Sequence, residues 1–179
     1  MGAGAMKNIV LAVIAILISC VCNAQDIPFE KLTQGKEPVI LKRALAKLLK
    51  QYEVSPKRSK YITVMLDLDA DGKKDALVLF NDMNFCGGSG AGGCSLFAFG
   101  CNASNCNPWF NIDIVNPPFY ISDERTKGLP DFIGALAGMD GAGKFSILKY
   151  DGKAYPMLPE DGQTTTEAEL KTRKLIRLF

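Results

Sequence analysis

The stretch YITVMLDLDADGKKDALVLF, residues 61–80, reads as two strands joined by a polar turn. Tyr61–Leu68 and Ala76–Phe80 are short runs rich in β-branched, aromatic and other apolar residues, and the Asp and Gly residues between them are turn formers. Ser95–Phe99 and Phe110–Val115 repeat the pattern further along, each bounded by Gly, Pro, Asn or Asp. Phe145–Tyr150 and Lys153–Tyr155 flank Asp151-Gly152, a two-residue hairpin signal.

Upstream of the strands, residues 37–52 follow a helical period. Leu41, Leu45, Leu48, Leu49 and Tyr52 share one face, while Lys42, Arg43, Lys47 and Lys50 lie largely off it. Pro38 suits the first turn, where its missing N–H costs nothing. Near the C-terminus, Thr166 and Glu169 have capping-box spacing and predict a short helix. The expected fold class is therefore α+β, an antiparallel sheet with the N-terminal amphipathic helix packed on one face and small disulfide-closed loops.

The first residues predict export. Lys7 precedes an unbroken apolar run, IVLAVIAILI at residues 9–18, which is shorter than the about 20 residues of a bilayer-spanning helix but suits a signal-peptide core. Two processing routes follow from the next residues. Cys22-Asn23-Ala24 before Gln25 has small residues where signal peptidase needs them, giving a 1–24 signal peptide and a single 25–179 exported domain. Leu17-Ile18-Ser19-Cys20 reads as a lipobox, which would tether the chain to a membrane through a lipidated Cys20. Cleavage after Ala24 leaves Cys86, Cys94, Cys101 and Cys106, an even set, whereas cleavage before Cys20 leaves Cys22 as an odd thiol. Parity favours the soluble periplasmic or secreted form.

Composition narrows the functions. The formal net charge of +2 gives no electrostatic reason to expect nucleic acid or an anionic surface as a partner. The chain has no histidine, so the commonest general base, zinc ligand and pH switch are all missing.

Asp67, Asp69, Asp71 and Asp75, with Gly72 among them, alternate as in the first half of a Ca²⁺ loop. The twelfth position, where an EF-hand has a bidentate Glu, is Val78, and Lys73 and Lys74 offset the negative charge. The DxDxDGxxD pattern between strands resembles the loops of FG-GAP and VCBS repeat proteins, which would make it a calcium site. The competing reading is a polar hairpin whose aspartates cap backbone N–H groups.

Gly88, Gly90 and Gly93 match GxGxxG, but the following strand pattern lacks the helix that a dinucleotide site requires. A loop closed by Cys86 and Cys94 accounts better for these glycines. Cys101 and Cys106 would close a second loop, although four cysteines allow three pairings. Gly138–Lys144 departs from a P-loop because Phe145 replaces the Ser or Thr.

Trp109, Phe119, Tyr120 and Arg125 belong to an aromatic, proline and charged stretch that is the candidate binding surface, with a core role for the aromatics as the alternative. The signal, the aspartate loop, the glycine-rich cysteine loop and DGKAYP at 151–156 together resemble small periplasmic proteins and lipoproteins of Gram-negative bacteria.

Three functions are compatible with these features. The first is a protein-binding module without enzyme activity, acting on an envelope or secreted partner, such as an inhibitor of or immunity factor against a cell-wall-degrading enzyme. The second is a Ca²⁺-binding or Ca²⁺-stabilised envelope protein. The third is a carboxylate-based hydrolase, for which Asp113, Asp123, Glu124, Asp131 and Asp140 are candidates.

Overall fold

A computed structural model describes residues 25–26, 37–87, 92–136 and 143–179. The expected signal segment with Cys20 and Cys22, residues 88–91 of the glycine-rich stretch and the segment carrying Asp140 lie outside the described residues.

Helix α1, Val39–Gln51, forms where the apolar period predicts it and buries Leu41, Ala44, Leu45, Leu48 and Leu49. Pro38 is its N-cap, and the Pro38 carbonyl accepts from the Lys42 N–H at 3.1 Å. The helix ends at Tyr52, where Glu53 takes a left-handed conformation (φ 58°).

Two sheets follow instead of one. The first is antiparallel and holds β2 (Tyr61–Leu66), β3 (Asp75–Phe80), β4 (Cys94–Cys101) and β5 (Cys106–Val115) in that order. The second contains β1 (Gln25–Asp26), β6 (Phe119–Thr126), β7 (Leu129–Ala135), β8 (Lys144–Leu148), β9 (Gln163–Thr166) and β10 (Leu175–Arg177). Its order is β1-β10-β6-β7-β8-β9, antiparallel except where β1 lies parallel to β10.

The sheets pack face to face, and α1 covers the outer face of the smaller one. Strand β3 is buried along its whole length and serves both interfaces. Its Leu77 and Leu79 join Leu96, Ile112, Phe119 and Phe132 between the sheets. Ala76, Val78 and Phe80 point the other way and meet Leu41, Leu45 and Leu48 of α1. On the far side, Leu170 of the short helix α2 (Glu167–Leu170) packs with Ile133, Phe145 and Ile147. The capping box expected from Thr166 and Glu169 is present.

One local expectation needs correction. Asp151-Gly152 makes a tight turn, with the Asp151 N–H donating to Ala154 O at 3.0 Å, but residues 153–155 do not pair with β8. The partners of β8 are β7 and β9. A two-residue hairpin turn instead joins β6 to β7 through Lys127 and Gly128, both at positive φ (50° and 93°). That is the backbone that suits a two-residue connection between twisted strands.

Candidate functional site

The aspartate loop joins β2 to β3. Asp67 accepts from the N–H groups of Asp71 (3.1 Å) and Gly72 (2.9 Å), and Asp69 accepts from the Asp71 N–H at 3.1 Å. Asp71 accepts from the Lys73 N–H at 2.8 Å and pairs with the Lys73 ammonium. These bonds hold the Asp71 carboxyl below its ordinary range and raise the Lys73 ammonium. One ligand atom from each of Asp67, Asp69 and Asp71 falls within 4.8 Å of the others. The loop therefore combines backbone capping with three convergent carboxylates.

Asp75, the fourth ligand expected from the spacing, stands outside that group. It is 4% exposed, and its two oxygens accept from the Leu68 N–H (3.1 Å) and the Cys101 N–H (3.0 Å). Burial pushes its carboxyl above the ordinary range, against the pull of those two bonds. Its visible task is to tie the loop to the end of β4, next to the Cys101–Cys106 disulfide.

Both expected disulfides are formed, Cys86–Cys94 and Cys101–Cys106. Cys101 and Cys106 face each other across β4 and β5. Between them, the Asn102 side-chain oxygen accepts from the Ser104 and Asn105 N–H groups, both at 2.9 Å. Such bridges persist in oxidising compartments, so they fit an extracytoplasmic environment.

The four residues proposed as one binding surface are not brought together. Phe119 is fully buried between the sheets. Tyr120 is half-buried on the opposite face of β6, where its ring lies 6.3 Å from that of Phe145. Strand alternation sends neighbours to opposite faces, so Phe119 and Tyr120 cannot share a surface. Trp109 is half-buried beside a shallow cavity of about 290 Å³ that Asp69, Asp71 and Lys73 also border. Arg125 donates to the carbonyls of Leu68 and Gly128, at 2.6 and 2.9 Å.

Three of the five carboxylates considered for hydrolysis are engaged with separate partners. Asp113 accepts from Ser95 at 2.7 Å, Asp131 from Thr126 at 2.7 Å, and Glu124 from Arg173 at 2.6 Å.

A groove that the sequence did not signal lies where the end of α1, the Asp82–Phe85 turn and the Cys86–Cys94 bridge meet. Its cavity is about 350 Å³. Tyr52, Phe85 and Phe97 line it as an edge-to-face cluster, with ring centroids 5.3 to 5.9 Å apart, and Phe85 stacks on Phe80 beneath. Asn84, Ser95, Asn111 and Asp113 supply polar groups around these rings. Tyr52 is 49% exposed, and Met83, in the same turn as Asn84, is 94% exposed. In the sequence, Tyr52 reads as one more position of the α1 apolar stripe, so only the fold shows its contact with Phe85 and Phe97.

No protein-family model, no curated protein and no solved structure matches the chain.

Proposed function

We propose that the chain is a periplasmic or secreted protein-binding module, acting as an inhibitor of or immunity factor against a cell-wall-degrading enzyme. The observation that supports it most is the groove at Tyr52, Phe85 and Phe97. Protein interfaces concentrate their energy in rigid aromatic anchors surrounded by polar groups. Here Tyr52 is the exposed anchor, seated edge-to-face on Phe85 and Phe97, which are buried in the core beneath it, with Phe85 stacked on Phe80 and followed by the Cys86–Cys94 disulfide. Met83, the chain neighbour of the groove residue Asn84, is almost wholly exposed and offers an adaptable apolar contact. The signal segment and the lack of histidine agree with a binder that meets its target outside the cytoplasm. Affinity capture from an envelope extract, with the wild-type chain and a Met83→Asp variant as baits, tests the reading. A partner should be retained by the first and lost from the second.

Calcium binding is the second reading. The convergence of Asp67, Asp69 and Asp71 supports it. In that case the ion stabilises the loop beside Trp109 and has no role in the groove.

A further inference from the structure

Every charged residue on the outward face of α1 is a cation. Lys42, Arg43, Ala46, Lys47 and Lys50 are exposed along it, opposite the buried Leu41, Leu45, Leu48 and Leu49. The helix has no acidic residue, and none of its four cations takes part in an ion pair among the described residues. The loop that follows adds exposed Lys57, Arg58 and Lys60. Seven of the chain's 21 basic residues thus fall within residues 42–60 beside a single acid, Glu53, and the rest of the chain is net acidic.

The N-terminal part of this stripe works against the helix that carries it, whereas Lys50, in the last turn, complements the dipole. Arg43 and Lys47 are like charges four residues apart, which destabilises a helix. Lys42 and Arg43 sit near the positive end of the helix dipole, and no acid occupies the first turn. A face shaped for helix stability alone would mix Glu with Lys. The arrangement is explained by an anionic partner that neutralises the stripe. A helix of 13 residues is about 20 Å long and forms the outermost layer of the domain. Its cationic face holds no aromatic anchor of the kind that concentrates energy at protein interfaces. A diffuse anionic surface needs only charge density.

We propose that the Lys42–Lys50 face of α1 docks the domain onto the anionic headgroups of a lipid surface. The proposal is independent of the aromatic groove, and its test is separate. Protein isolated as the cell processes it is sedimented with phosphatidylglycerol-containing vesicles and with pure phosphatidylcholine vesicles, at low and high salt. Binding is expected to the anionic vesicles only and to disappear at high salt, where charges are screened. Each neutralised residue, as in Lys47→Gln or Lys50→Gln, should weaken partitioning about fivefold, matching about 1 kcal/mol per charge at an anionic surface. The combined Lys42→Glu, Arg43→Glu, Lys47→Glu and Lys50→Glu variant should not bind, while Lys73→Gln, in the aspartate loop, should bind as wild type. The melting temperature of the Gln variants should be unchanged or higher, which separates lost docking from lost folding. Equal binding to both vesicle types would overturn the proposal, as would absence of binding at low salt or retention by the charge-reversed variant.

Discussion

Arg125 and Leu68 lie 57 residues apart, and the Arg125 guanidinium donates to the Leu68 carbonyl oxygen at 2.6 Å. The same nitrogen reaches Gly128 O at 2.9 Å, so one side chain ties the aspartate loop of the smaller sheet to the β6–β7 hairpin of the larger. Arg125→Ala should lower stability by about 1–2 kcal/mol, the usual scale for losing charge-assisted hydrogen bonds on a partly solvated group. Arg125→Lys should recover only part of it, because the shorter lysine ammonium reaches less far and is more strongly hydrated. Urea midpoints of the three proteins check this.

Asp75 gives a pH signature of unusual sign. Its carboxyl is raised above the ordinary value of 3.8 by burial, so the folded state holds the proton more tightly than the unfolded chain. The stability linked to this group is fully present below 3.8 and declines as pH rises through the elevated folded value. Asp75→Asn removes that titration, and its amide leaves one of the two N–H donors, Leu68 or Cys101, without an acceptor. The variant should be about 1–3 kcal/mol less stable than wild type. The gap should be widest in acid and narrow as pH rises, read from denaturant midpoints across pH 3 to 7.

The disulfide Cys86–Cys94 closes one side of the aromatic groove. Replacing both cysteines by serine should cost about 2 kcal/mol, the low end for a short loop. It should also alter the groove before the rest of the fold, which hydrogen exchange at Phe85 and Ser95 would register as faster opening than in β3.

If Asp67, Asp69 and Asp71 hold calcium, the ion must stabilise the folded chain by mass action. At about a hundred times the dissociation constant the gain is about 2.7 kcal/mol, several degrees in Tm for a chain of this size. Magnesium should act less strongly, and Asp69→Ala should abolish the effect. Superimposed melting curves with calcium and with chelator would leave the loop as a self-capped hairpin held by Lys73.

The legible parts of this fold are those where one local signal decides the outcome. The apolar stripe of α1 has a single face to bury, and Thr166 with Glu169 needs only three residues to form its box. The closely spaced cysteines likewise pair within their own loops. The second sheet was hidden because tertiary pairing overrides local pattern there. Strand β6 ends in Ser-Asp-Glu-Arg-Thr, with a register shift between Ile121 and Arg125, so its outer half reads as a charged loop. Lys127 takes a positive φ that turn chemistry assigns to Gly, Asn or Asp. Gln163–Thr166 has no apolar alternation, yet it pairs with β8, whereas Asp151-Gly152 carries the hairpin signal without forming the ladder. At the aspartate loop, the spacing brings Asp67, Asp69 and Asp71 within reach of one another, as alternation suggests. Asp75 turns inward, because the burial of a strand end is not visible in the DxDxDGxxD pattern.

If the groove at Tyr52 binds a protein partner outside the cytoplasm, titration calorimetry of the captured partner against wild type, Met83→Asp, Tyr52→Ala and, as a distant control, Lys171→Ala reads it directly. Saturable one-to-one binding is expected, weakened at least about tenfold by Met83→Asp or Tyr52→Ala, or about 1.4 kcal/mol, and unchanged by the control. Wild-type affinity in both groove variants, with folding intact, would contradict it.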